Sequence, residues 1–183
     1  MSPHVFLVAG EESGDRLGAA LIEAIKRRVP AARFSGVGGA YMAAAGVQSL
    51  FPLGDLAIIG FAAIPAKLPK ILHRIRETAN AIVSARPDVL VIIDSPEFTH
   101  RVARRVRAAA PQIRIVDYVC PSVWAWRPGR ARAMRAYIDR VMALLPFEPA
   151  AMQRLGGPPC SFPLSRKGQH KTLTKVTPWF GDE

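Results

Sequence analysis

Four short stretches concentrate the residue types that can do chemistry. "GEESGD" (Gly10–Asp15) sets two glutamates, a serine and an aspartate beside glycines, and "GVGG" spans Gly36–Gly39. "DSPEF" runs from Asp94 to Phe98, and "CPSVWAWRPGR" from Cys120 to Arg130. Asp94 is the sharpest candidate, because it ends an apolar run and is followed by Ser95-Pro96. A carboxylate at the end of a buried strand needs partners, and it can accept a proton from an attacking hydroxyl as a general base. The competing reading is that it caps the next helix. Trp124 and Trp126, bracketed by Pro121 and Pro128, are an uncommon pair in a connection, although either one can simply cover the core. Arg127 and Arg130 can hold a phosphate through bidentate hydrogen bonds.

The first loop does not carry a dinucleotide fingerprint. Gly10, Gly14 and Gly18 fall four apart, not as G-x-G-x-x-G, and the loop has neither Walker spacing nor a lysine. Glu11 and Glu12 would repel a pyrophosphate at the amino end of a helix. Two readings stay open: the turn contacts hydroxyls, or Ser13 or Asp15 caps the helix while the glutamates complement its dipole.

These loops need a scaffold that gathers them. Strand-like runs occur at Val5–Ala9, Arg33–Gly38, Val89–Asp94, Ile113–Val119 and Arg140–Leu145. Several are almost wholly apolar, as strands of a parallel sheet covered on both faces are. Between them, Leu17, Leu21, Ile22, Ile25 and Val29 share one helical face, and Leu68, Ile71, Leu72, Ile75 and Ala79 share another. Helices also fit Thr99–Ala109, Gly129–Tyr137 and Glu148–Leu155. The alternation predicts an α/β domain over residues 1–155 with an open, mostly parallel, doubly wound sheet and helices on both faces. Ligands of such sheets bind beyond the carboxyl ends of the strands, where all four stretches fall. Residues 156–183 show neither period and read as an irregular tail.

At 183 residues, half of them hydrophobic, the chain is sized for one well-buried domain. The formal net charge of +11, carried largely by arginine, points to an anionic partner without choosing among nucleic acid, lipid headgroups and phosphorylated metabolites. No nucleic-acid motif accompanies the arginines, so nucleic acid is not the expected partner. Cys120 and Cys160 lack neighbouring ligands at metal spacing and read as reduced thiols of a cytosolic protein. The run Val5–Ala9 is too short for a signal peptide, and no run approaches the ~20 apolar residues of a transmembrane helix.

"LAIIGFAAIPAKLPKILHRIR" (Leu56–Arg76) is more apolar than one helix face requires. Ile58, Ile59, Phe61, Ile64 and Leu68 come with Lys67, Lys70, Arg74 and Arg76 alongside, a pattern suited to a membrane interface. Each inserted apolar side chain contributes roughly 1.5–3 kcal/mol. Each nearby cation adds about 1 kcal/mol on anionic lipid. Packing on the sheet or on a subunit is the alternative.

Taken together and in order, "VAGEESGDRLGAALI", "GVGG" with "MAAAG", "PDVLVIIDSPEF", "YVCPSVWAWRPGR" and "LLPFEP" resemble the lipid-A-disaccharide synthases across residues 5–162. The resemblance implies an inverting glycosyltransferase of the two-domain, twin Rossmann-like GT-B type, of which this chain is the acceptor-binding half. That family joins UDP-2,3-diacylglucosamine to 2,3-diacylglucosamine 1-phosphate and releases UDP, without a metal or other cofactor. It works peripherally at the cytoplasmic face of the inner membrane, so the implied partners are a UDP-sugar donor, an acylated glucosamine phosphate acceptor and an anionic membrane surface. Asp94 matches the family's general base; Glu11 and Ser13 match the glycine loop and would position a sugar; Trp126 belongs to the matched "SVWAWR" block, and Arg127 would lie near a phosphate. Ile58, Ile59, Phe61, Ile64 and Leu68 match the membrane-facing, acyl-chain patch. The family's "DAPDFN" reads "DSPEFT" here, with Glu97 and Thr99 replacing an aspartate and an asparagine. After Phe162, "PLSRKGQHK" departs from the family's glycine-histidine-proline turn, so the expectation is a truncated chain lacking the nucleotide-binding half. The alternative function is therefore a catalytically inactive acceptor- or membrane-binding domain.

Overall fold

The computed structural model describes residues 2–56, 64–122 and 129–162, apart from the side chains of residues 64–67. Its six strands are β1 (His4–Ala9), β2 (Arg33–Val37), β3 (Val89–Ile93), β4 (Arg114–Tyr118), β5 (Arg140–Met142) and β6 (Cys160–Ser161). They form one sheet in the order β2-β1-β3-β4-β5-β6, and every pairing is parallel. The helices are α1 (Glu12–Lys26), α2 (Ala40–Ala44), α3 (Ile64–Ala85), α4 (Pro96–Ala109), α5 (Gly129–Met134) and α6 (Glu148–Arg154), with a 3₁₀ turn at Leu53–Leu56. The predicted α/β class, parallel sheet and two-sided helical cover are all present.

Alternate strand residues feed two cores. Phe6, Val8, Leu90, Ile92 and Ile115 pack with Ile75 and Ile82 of α3, Val102 and Val106 of α4, and Met134 of α5. On the other face Val5, Leu7, Ala9, Val91, Ile93 and Val116 pack with Leu21, Ile22 and Ile25 of α1 and Met42 of α2. Water reaches neither face of β1 or β3, which is why both read as unbroken apolar runs.

Several boundaries differ from the sequence expectation for local reasons. The helix expected from Thr99 starts at Pro96, whose fixed φ and missing N–H suit a first turn. The fifth strand stops at Met142, not Leu145, because the amides of Leu144 and Leu145 donate to Glu148 Oε2 at 3.0 and 2.8 Å. Cys160–Ser161, inside the stretch read as irregular, pairs with β5. Two residues are too few to display alternation.

Strand order fixes where a ligand can sit. From β1 the chain moves to β2 on one side, and β3 then lies on the other side of β1. The crevice between the carboxyl ends of β1 and β3 is thus a switch point, where the loops on either side turn away from each other.

Candidate active site

The two loops at that crevice start from strands held in register, Ala9 against Ile93. They approach so closely that a Cβ on Gly10 would lie 2.3 Å from Ser95 Cβ, so only glycine fits there. The same closeness explains the four-residue glycine spacing. Gly14 and Gly18 face Ile93, with Cβ positions 3.1 Å from its carbonyl oxygen and 3.2 Å from its Cδ1, so the spacing is that of a helix laid on a strand.

Ser13 Oγ lies 3.1 Å from Asp94 Oδ2 and 3.1 Å from Glu11 Oε1, so one hydroxyl proton is shared between two carboxyls. Ser13, Glu11 and Asp94, separated by up to 83 residues in sequence, therefore form one cluster. The hydrogen bond with Asp94 pushes the Glu11 carboxyl above its ordinary value, helped by partial burial and by the Asp94 charge, while Ser13 opposes the shift. Neither Ser13 nor Asp15 caps α1; its N-cap residue, Glu11, makes no side-chain capping bond. Asp15 is buried and caps a different helix, accepting from the amides of Gly39 (2.7 Å), Tyr41 (3.0 Å) and Met42 (3.0 Å) at the start of α2. That cap also accounts for α2, whose five residues carry too little periodicity to be foreseen.

Asp94 and Ser95 both have left-handed backbone, with φ of 54° and 47°, and Val119 at the end of β4 has φ of 90°. Such conformations cost roughly 1–3 kcal/mol each and persist where surrounding structure enforces them. For Asp94 and Ser95 the enforcing group is Thr99, fully buried, whose hydroxyl lies 2.7 Å from the Asp94 carbonyl oxygen and 3.1 Å from that of Ser95. Asp94 Oδ1 accepts from the Ser95 amide at 2.8 Å and touches no amide of the helix interior, so the helix-cap reading gains no support. Glu97, which also departs from the family motif, pairs with Arg130 at 2.6 Å.

Asp94 and Val119 line a cavity of about 300 Å³ together with His100, Asp117, Cys120 and Arg130. Cys120 and Cys160, 40 residues apart in sequence, are both free thiols, and their mutual hydrogen bond is the first cause of a strongly raised Cys120 pKa. Behind Asp94 stands a relay that the sequence reading missed. Asp117 and His100 are both buried, 3.1 Å apart, and His100 Nδ1 lies 3.1 Å from the Tyr137 hydroxyl. The available signal was a carboxylate among the buried residues of β4, which follow an exposed Arg114. Burial raises the Asp117 pKa, and the bond to His100 lowers it. Among the described residues, no group of three or more His, Cys, Asp or Glu side chains is placed to hold a metal.

Trp126 and Arg127 lie outside the described residues, as do Ile58, Ile59 and Phe61. Ile64 opens α3, and Leu68 on its next turn is 44% exposed. The cations beside that apolar segment are less free than the sequence suggested. Asp55 takes Lys70 at 2.7 Å and Arg74 Nε at 3.0 Å, and Arg74 also reaches Glu77 at 2.6 Å and stacks on Phe51.

The family model described as lipid-A-disaccharide synthetase matches residues 5–162. This chain belongs to the lipid-A-disaccharide synthetase family. The lipid-A-disaccharide synthase of Nitrobacter hamburgensis is 65% identical over 162 residues, covering 88% of this chain and 41% of that protein. Its Bradyrhizobium diazoefficiens counterpart is 61% identical over 159 residues, 86% of this chain and 41% of the other. The chain thus spans about two fifths of the length of these relatives. Among solved structures, the UDP-GlcNAc 2-epimerase of Neisseria meningitidis shares the fold, with a TM-score of 0.58 at 10% identity over 87% of this chain and 45% of that one. Among the described residues no helix is long and apolar enough to cross a membrane.

Proposed function

We propose that this chain forms the acceptor-binding half of a two-domain, inverting GT-B glycosyltransferase that makes the lipid A disaccharide. The donor is UDP-2,3-diacylglucosamine and the acceptor 2,3-diacylglucosamine 1-phosphate. The observation that carries this reading is the Asp94–Ser13–Glu11 cluster at the switch point, with a strained Asp94 opening on a cavity. Asp94 Oδ2 takes the proton of the acceptor's 6-hydroxyl as that oxygen bonds to the donor's anomeric carbon. The bond from that carbon to UDP breaks in the same displacement, which inverts the centre. Ser13 and Glu11 orient the sugar hydroxyls, and Thr99 holds Asp94 in its aim. Trp126 and Arg127 complete the substrate contacts. Ile58, Ile59, Phe61, Ile64 and Leu68 receive acyl chains at the cytoplasmic face of the inner membrane.

The share of the relatives that is matched favours a second reading for the 183 residues acting by themselves, as an acceptor- or membrane-binding domain without turnover. In that state the charge developing on departing UDP goes unstabilised, and such electrostatic terms are usually the largest in catalysis.

The test is a chimera in which residues 1–162 of this chain replace the matching part of the Nitrobacter hamburgensis enzyme. UDP release that depends on both sugars is expected, and Asp94→Asn is expected to lower kcat by about 10²–10⁴-fold. A chimera whose turnover ignores Asp94→Asn would end the assignment of the base.

A further inference from the structure

A second chamber, of about 420 Å³, adjoins the Asp94 cavity and shares Pro96, His100 and Arg130 with it. Its lining includes Arg101, Arg104, Arg105 and Arg130, with Glu97 the one carboxylate among them and Ile75 an apolar part of its wall. Glu97 takes Arg130 at 2.6 Å and lies 3.7 Å from Arg101. Four guanidinium groups against one carboxylate leave a cationic excess.

Arg101, Arg104 and Arg105 stand at i, i+3 and i+4 of α4, on one face. Like charges at that spacing destabilise a helix, a cost that an anion in the chamber would offset. One of the three is also built in place. Arg104 lies over the Tyr137 ring, 4.7 Å from its centroid, and its Nη2 donates to the Tyr137 hydroxyl at 3.3 Å. Tyr137 is held by His100, and His100 by Asp117, all three buried. With Asp117 ionised and His100 a neutral imidazole the protons run one way. The His100 Nε2–H donates to Asp117, the Tyr137 O–H donates to Nδ1, and the tyrosine oxygen accepts from Arg104. The chain of bonds begins in the interior and ends by aiming a cation into the chamber. A planar fork so fixed matches the oxygens of a phosphate better than a point charge does.

We infer that this chamber binds a phosphate monoester. Its identification as the acceptor's own phosphate rests on the transfer reading above, in which Asp94 meets the sugar hydroxyl in the adjoining cavity.

Calorimetric titration of the 183-residue chain at low salt tests this with glucosamine 1-phosphate, inorganic phosphate, glucosamine, and vesicles with or without phosphatidic acid. Glucosamine 1-phosphate is expected to bind at least tenfold tighter than glucosamine. Arg101→Gln/Arg105→Gln is expected to lose about tenfold or more, as deletion of a charge-assisted hydrogen bond predicts. Both arginines are exposed, so the fold is kept, which an amide spectrum verifies. Tyr137→Phe, which frees Arg104 without removing charge, is expected to weaken binding by a smaller factor. Unchanged affinity for glucosamine 1-phosphate in the double variant overturns the site. Equal binding of inorganic phosphate and glucosamine 1-phosphate, both lost in the double variant, keeps the site and removes the acceptor assignment. Preference for phosphatidic acid vesicles over either soluble probe makes a lipid headgroup the source. A silent chimera alongside intact phosphate binding would sink the transfer reading alone.

Discussion

At the scale of single residues, the centre of the molecule is a proton shared among two carboxyls and a hydroxyl. Glu11 binds its proton more tightly in the folded chain than at its ordinary value of 4.5. As pH rises past that value the unfolded chain releases the proton first, so the folded state binds more protons and loses stability until its own raised pKa is passed. Buried Asp117 contributes with the same sign. Glu11→Gln removes one of these contributions. Urea midpoints of the variant and the parent are expected to diverge in favour of the variant over the acidic range as pH rises past the ordinary glutamate value of 4.5. A constant gap across that range would show that Glu11 is not perturbed by Asp94.

At the scale of elements, Asp15 is a tie between helices. It sits in α1 yet satisfies three amides at the start of α2. Asp15→Ala leaves those donors without their acceptor, the Met42 amide in a buried position, and a loss of roughly 1–3 kcal/mol is expected in chemical denaturation. Faster amide exchange should be concentrated in Gly39–Met42. Asp15→Asn, which keeps one acceptor oxygen, should recover part of the loss. This tie also marks where sequence stops being legible. The strands and α1 could be read because burial on both faces, or on one helical stripe, leaves a periodic record in consecutive residues. Asp94 could be singled out because a carboxylate ending "VLVII" breaks that record. The Asp117–His100–Tyr137–Arg104 chain leaves no such trace. Its members come from β4, α4 and the turn after α5, and only the packing of those elements makes them neighbours. The same holds for Asp55, whose pairing with Lys70 and Arg74 engages cations that the sequence pattern sets beside a segment suited to a membrane interface.

For the whole molecule, the apolar face of α3 leaves the core progressively: Ala79 and Ile75 are buried, Ile71 and Leu72 half-buried, Leu68 exposed. An apolar face that emerges toward the start of its helix, on a chain of net charge +11, suits reversible attachment to an anionic bilayer. Retention on acidic vesicles in a flotation assay is expected, and Phe61→Ser/Ile64→Ser should abolish most of it. Retention that survives this change but vanishes in salt would reduce the effect to charge alone. The parallel pairing of β1 with β3 has a wider consequence. A slip of one residue between these strands would displace Ser13 from Asp94 by about 3.3 Å and turn every side chain of the slipped strand over. The distance between hydroxyl and carboxylate is therefore inherited from two ribbons of backbone, and the surface around them is free to diverge while their alignment cannot.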